Sequence, residues 1–116
     1  MRLQRVILFV TDMDAMTAFY RDGLGLAVVS SQPGWTELDA GGAVLALHAI
    51  PAPIAARLVP GPREDTPIKL CFAAPDLDGA RAELARRGAT MREPTGWGTC
   101  DGLDPEGNVF QLVRAP

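Results

Sequence analysis

Two stretches of this chain follow one plan, and that constrains the fold more than anything else in it. Asp12-Met13-Asp14 and Asp76-Leu77-Asp78 stand 64 residues apart, and the same offset sets Arg5 on Lys69 in the apolar run before each. Arg5–Val10 (RVILFV) is short, apolar and rich in β-branched residues, so it reads as a buried strand. Thr11-Asp12-Met13-Asp14 then offers side chains that accept hydrogen bonds from a first helical turn, and Met16, Phe19 and Tyr20 follow at helical spacing. Gly23 and Gly25 end that helix, because glycine adopts the left-handed cap conformation at little cost. Strands are expected over 26–30, 35–39 and 43–50, joined by turns at Pro33-Gly34 and Gly41-Gly42. The plan then repeats: a strand over 68–73, a helix opened by Asp76 with Leu77, Ala80 and Leu84 on one face and Gly88 at its end, then strands over 90–92, 99–103 and 109–113. Between the copies, residues 51–67 hold five of the ten prolines, which excludes a regular strand or a long helix and leaves a connector with one helical turn at 54–58.

The 116 residues allow one ordinary domain or two small modules. A net charge of −3 and a pI near 5.0 argue against general nucleic-acid binding, which needs a basic stripe. No apolar run reaches the roughly 20 residues of a membrane span, and MRLQRVILFVTDMD meets acidic residues too early for a signal peptide. Cys71 and Cys100 lack CxxC spacing, so a reduced, cytoplasmic chain is the simplest reading, with one disulfide left open. The glycines form neither a GxGxxG nor a Walker A pattern, which leaves nucleotide binding without support.

Alternation along the strands sorts residues by face. Val6, Leu8 and Val10 go under the first helix with Leu38, Leu45 and Leu47; Arg5, Ile7, Phe9, Trp35, Glu37, Val44, Ala46 and His48 go to the other face. In the second copy Leu70, Phe72, Phe110 and Leu112 pack, leaving Lys69, Cys71, Val109, Gln111 and Val113. Apolar walls with a few polar groups suit a curved sheet that holds a small ligand.

His48, the only histidine, either orients a ligand and moves protons near neutral pH or closes an internal hydrogen-bond network with Glu37. Trp35 and Trp97 either stack on a planar ligand or anchor the core or a subunit contact; the Gly96-Trp97-Gly98 run would permit a mobile flap. Cys71 reads as a buried structural thiol rather than a nucleophile, and Cys100 as structural too.

The run VTDMDAMTAFYRDGLGLAVV resembles the strand–Asp–helix–FY–LG signature of the vicinal oxygen chelate superfamily, which includes glyoxalase I, extradiol dioxygenases and bleomycin-resistance proteins. LDGARAELARRGA resembles its second helix and LDPEGNVFQLV its closing turn and last strand. The resemblance implies an α+β fold in which two βαβββ modules, here about 1–52 and 68–116 with a connector over 53–67, form a curled mixed sheet around a cleft, commonly in a homodimer. It also implies that metal-dependent members hold an ion on the first and last strands of each module, positions that fall here on Arg5, Ala46, Lys69 and Gln111. Only Gln111 could ligate. Each cation about 4 Å from a divalent ion would oppose it by roughly 8 kcal/mol at an effective dielectric near 20. No metal or other cofactor is therefore expected.

Arg5 and Lys69 then serve either as a cationic end for an anionic or oxygen-rich compound or as internal ion-pair partners, Glu37 among them. The expected function is binding of a small organic molecule in a metal-free cleft, as in the bleomycin-resistance branch, with Arg5, Phe9, Trp35, Glu37, His48, Lys69, Trp97 and Gln111 as candidate ligand residues. The alternative is a lyase, isomerase or dioxygenase that uses a metal or a His48/Glu37 acid–base pair.

Overall fold

Local chemistry at two aspartates starts both halves of the molecule in the same way. In the computed structural model, which describes residues 1–57 and 61–115, Asp12 caps one helix by accepting from the Ala15 N–H at 3.0 Å. Asp76 caps another by accepting from the Gly79 N–H at 3.0 Å, with nearly identical backbone angles. The chain divides into two compact units, Met1–Val59 and Pro60–Pro116. Each is a βαβββ module, and the whole is an α+β fold with two mixed four-stranded sheets.

In the first unit β1 (Arg5–Val10) leads into α1 (Met13–Ala18), which widens into a π-helical turn over Phe19–Gly23. The wider turn leaves two consecutive aromatics, Phe19 and Tyr20, buried edge to face. β2 (Val28–Gln32), β3 (Trp35–Asp39) and β4 (Val44–Ala49) follow, in the spatial order β1-β4-β3-β2. β1 runs parallel to β4, and the remaining pairs are antiparallel. The core is Val10, Met16, Phe19, Tyr20, Leu38, Leu45 and Leu47, the face assigned by alternation. β2 begins two residues later than expected because the Leu26 N–H is still bonded to the Tyr20 carbonyl; a bulge between Val28 and Ser30 then corrects the register. The connector's helical turn, α2, lies at Ala52–Ala55 rather than 54–58, since Pro51 and Pro53 are tolerated at a helix start; Leu58 lies outside the described residues.

In the second unit β5 (Leu70–Ala74), α3 (Leu77–Arg86), β6 (Thr90–Met91), β7 (Thr99–Leu103) and β8 (Val109–Arg114) repeat the order as β5-β8-β7-β6. Arg63 holds the start of this unit to the β7–β8 turn, its guanidinium donating to the Glu106 carbonyl and to Asn108 Oδ1. Glu64 pairs with Arg92. Among the described residues no helix is long and apolar enough to cross a membrane.

Candidate functional site

On the face of the first sheet turned away from α1, strand register builds three rows. Phe9, His48 and Trp35 lie directly opposite one another across β1, β4 and β3; Ile7, Ala46 and Glu37 form the next row; Arg5, Val44 and Asp39 the third. The first row is a line of three rings: His48 lies 5.3 Å from Phe9 and 5.4 Å from Trp35, centroid to centroid. Phe9 is 57% exposed, so this apolar ring is held toward solvent by its strand rather than hidden by the core. Arg5 reaches back over the middle row. Its guanidinium stacks 5.4 Å from the Trp35 ring centroid and donates to Glu37 Oε1 at 3.1 Å. Trp35 Nε1 donates to the same oxygen at 3.0 Å. Ala46, fully buried, is the floor between rings and ion pair.

Five sequence candidates, Arg5, Phe9, Trp35, Glu37 and His48, are thus brought together. The expected link between His48 and Glu37 is not: no hydrogen bond joins them, and among the described residues neither ring nitrogen of His48 has a hydrogen-bond partner. Both donors to Glu37 come from Arg5 and Trp35, so it does not orient the imidazole as an acid–base partner would.

In the second unit the corresponding face carries a charge pair the sequence reading missed. Lys69 Nζ donates to Asp101 Oδ2 at 2.8 Å, while Gln111 Nε2 donates to Asp101 Oδ1 at 2.9 Å. Asp101 stands 64 residues after Glu37, so the repeat offset already contained the signal. Burial alone would push the Asp101 carboxyl up, but the hydrogen bonds from Lys69 and Gln111, with the Lys69 charge, outweigh it and leave it below its ordinary 3.8.

A carboxyl lowered on folding stabilises the protein above its unfolded value, near 3.9, and that contribution drains away as pH falls through the folded value. Asp101→Asn is therefore expected to lower stability at pH 7 by no more than about 1 kcal/mol, because the pair is solvent-screened. The difference from wild type should shrink steadily as pH falls below the unfolded value and through the folded one. Urea midpoints measured from pH 7 to 2.5 check this, and a gap that widens on acidification would contradict it.

Cys71 is exposed, contrary to the expectation of a buried thiol, because alternation along β5 turns it to the open face while Leu70 and Phe72 turn inward; its Sγ donates to Gln111 Oε1 at 3.6 Å. Cys100 is free and buried, and burial pushes its thiol up despite the opposing influence of Arg81. Trp97, 90% exposed, sits in the 95–98 turn, where its backbone N–H is held by Thr95 Oγ1 at 3.2 Å. Its ring joins none of the Lys69, Asp101 and Gln111 contacts.

The positions at which the family resemblance puts a metal do not fit one. Arg5 has no lone pair, Ala46 no donor atom, Lys69 is committed to Asp101, and both ends of the Gln111 amide are engaged. Among the described residues no group of three or more His, Cys, Asp or Glu is placed to hold an ion. The repulsion argument weakens, however, because each cation is neutralised by its own carboxylate; the misfit rests on donor chemistry.

A polar cavity of about 770 Å³ lies on the helix side of the first unit, lined by Asp14, Thr17, Arg21, Ser31, Gln32 and Thr36 among others. Its buried Thr17 hydroxyl has no hydrogen-bond partner among the described residues, a place suited to water. Arg21 there is spent on Asp22, and the cavity has no aromatic wall. The open sheet face is the richer site.

Comparison with known proteins agrees with this architecture. A chain of the glyoxalase/bleomycin resistance protein/dioxygenase family from Burkholderia phytofirmans PsJN superposes with a TM-score of 0.77 at 24% identity, covering 97% of each chain. TnmS3, an antibiotic binding protein from Streptomyces sp. CB03234, gives 0.73 at 24% identity, covering 100% of this chain and 97% of that one. A glyoxalase-related enzyme from Fulvimarina pelagi gives 0.77 at 18% identity, covering 99% and 88%. At these identities the likeness is one of fold. None of the curated proteins matches the chain. The family model for the Glyoxalase/Bleomycin resistance protein/Dioxygenase superfamily, however, matches residues 2–112, so the chain belongs to that superfamily.

Proposed function

We propose that this protein binds a small organic molecule on the open face of its first sheet, without a metal, in a sequestration or resistance role. The observation that carries the reading is the ring row of exposed Phe9 and His48 and half-buried Trp35 beside the Arg5–Glu37 pair. Flat apolar rings next to a few polar atoms orient a ligand and supply contact area without any bond being made or broken. The antibiotic-binding TnmS3, which shares the fold, supports the same direction. The expected ligand residues Lys69, Trp97 and Gln111 lie in the second unit, where Lys69 and Gln111 are engaged with Asp101, so the binding face is that of the first unit. The competing lyase or dioxygenase reading needs either a metal, which the donor set does not favour, or a His48–Glu37 relay, which has no hydrogen bond to support it. A homodimer and a cytoplasmic location belong to the proposal, the first measurable as solution mass.

Thermal-shift screening with aromatic antibiotics and small organic acids tests the reading, since a ligand at 100 times its Kd stabilises by about 2.7 kcal/mol. Trp35→Ala and Arg5→Ala are expected to weaken any hit at least tenfold, as loss of an aromatic anchor usually does. Unchanged affinity in both variants would place the ligand elsewhere.

A further inference from the structure

The two ion pairs occupy equivalent places, Arg5–Glu37 and Lys69–Asp101 each 64 residues apart from its counterpart, yet they are finished differently. In the second unit both carboxylate oxygens are used, one by Lys69 and the other by the amide of Gln111, the residue directly opposite Asp101. In the first unit the residue directly opposite Glu37 is Ala46. A methyl group donates nothing. Arg5 and Trp35 both donate to Oε1, and Oε2 has no partner among the described residues. The neighbouring row differs in the same sense. Where the first unit sets Phe9, His48 and Trp35 across its strands, the second sets Ala73, Val113 and Thr99.

We infer that the pairs have divided their work: Lys69–Asp101 closes a structural network, while Arg5–Glu37 is an unfinished one that a ligand completes. The inference rests on the binding reading above and names its ligand class, a flat aromatic compound that is not anionic and carries an N–H or O–H donor on its edge. The ligand's donor takes, at Glu37 Oε2, the place that the Gln111 amide takes at Asp101. Rows on one sheet face are about 6.6 Å apart, two residues along a strand, so a fused-ring plate over the Phe9–His48–Trp35 row brings its edge to Glu37. A bare anion is disfavoured because Arg5 is already neutralised and the free atom facing it is a carboxylate oxygen.

Acridone and N-methylacridone test this. The two have the same ring plate, but only the first has an N–H, and both are followed by their own fluorescence anisotropy. Wild type is expected to bind acridone at least tenfold more tightly. Glu37→Gln is expected to erase that preference: Arg5 and Trp35 hold the amide oxygen toward themselves, so an NH₂ group replaces Oε2 and faces the ligand donor to donor. Ala46→Gln, which supplies from within the missing amide, should erase it too, and Asp101→Asn should keep it. Equal affinity of wild type for the two compounds, or a preference that survives Glu37→Gln, overturns the donor requirement. So does failure of both to bind while screened compounds bind through Trp35, and the binding reading then stands. If no compound binds in a Trp35-dependent way, the binding reading itself fails.

Discussion

Asp104→Ala is expected to lower the unfolding free energy by roughly 2–4 kcal/mol, because it removes the acceptor on which the last turn is built. Asp104 is only 3% exposed. Its Oδ1 accepts from the backbone N–H groups of Glu106 and Asn108 at 2.9 and 3.0 Å, and the Asn108 side-chain amide donates to both carboxylate oxygens. Alanine leaves these part-buried donors without a partner, and unmet donors cost more than the average hydrogen bond contributes. The same turn receives Arg63 from the start of the unit, so its loss also frees that strap. A melting-temperature fall of about 10 °C or more follows for a chain of this size. Asp104→Asn should fall between, since its oxygen can still serve the two backbone donors while its NH₂ meets the Asn108 amide. A shift under about 2 °C for the alanine variant would mean that the turn closes without the aspartate.

Phe110→Ala is expected to cost more still, about 3–5 kcal/mol, the range for deleting a buried aromatic. Phe110 is 0% exposed and lies opposite Gly102 on β7. That glycine is a requirement of the ring: a Cβ at position 102 would sit 2.7 Å from Phe110 Cζ and 2.6 Å from Met91 Sδ. Gly102→Ala should therefore destabilise by about 1–3 kcal/mol through overpacking. Combined with Phe110→Leu, which makes room, its added cost should shrink, giving a double mutant less destabilised than the two single variants together. Strict additivity in urea denaturation would show that ring and glycine do not share this space.

Much of the fold was legible because it repeats. Asp12 and Asp76 do cap equivalent helices, and period-two alternation assigns Arg5, Phe9, Trp35, Glu37 and His48 to one face, where the structure has them. Such a pattern depends on neighbours along the chain, and those the sequence contains. What escaped it depends on reach in space. The Arg5–Glu37 pair was among the expectations, but nothing along the chain says that Trp35 joins Arg5 on one oxygen of Glu37 and that His48 is left out. The delayed start of β2 follows from a bond back to Tyr20 across the π-helical turn. Asp101 is a different case, visible in principle at the offset that relates Arg5 to Lys69.

By itself, then, the sequence determined two βαβββ units, their buried faces and the residues available on the open ones, because strand and helix periodicity are local properties of a polymer. Tertiary structure decided which polar atoms those residues leave unsatisfied. Cross-strand register sets a methyl group opposite Glu37 and an amide opposite Asp101, and a hydrogen bond exists only where register brings donor to acceptor.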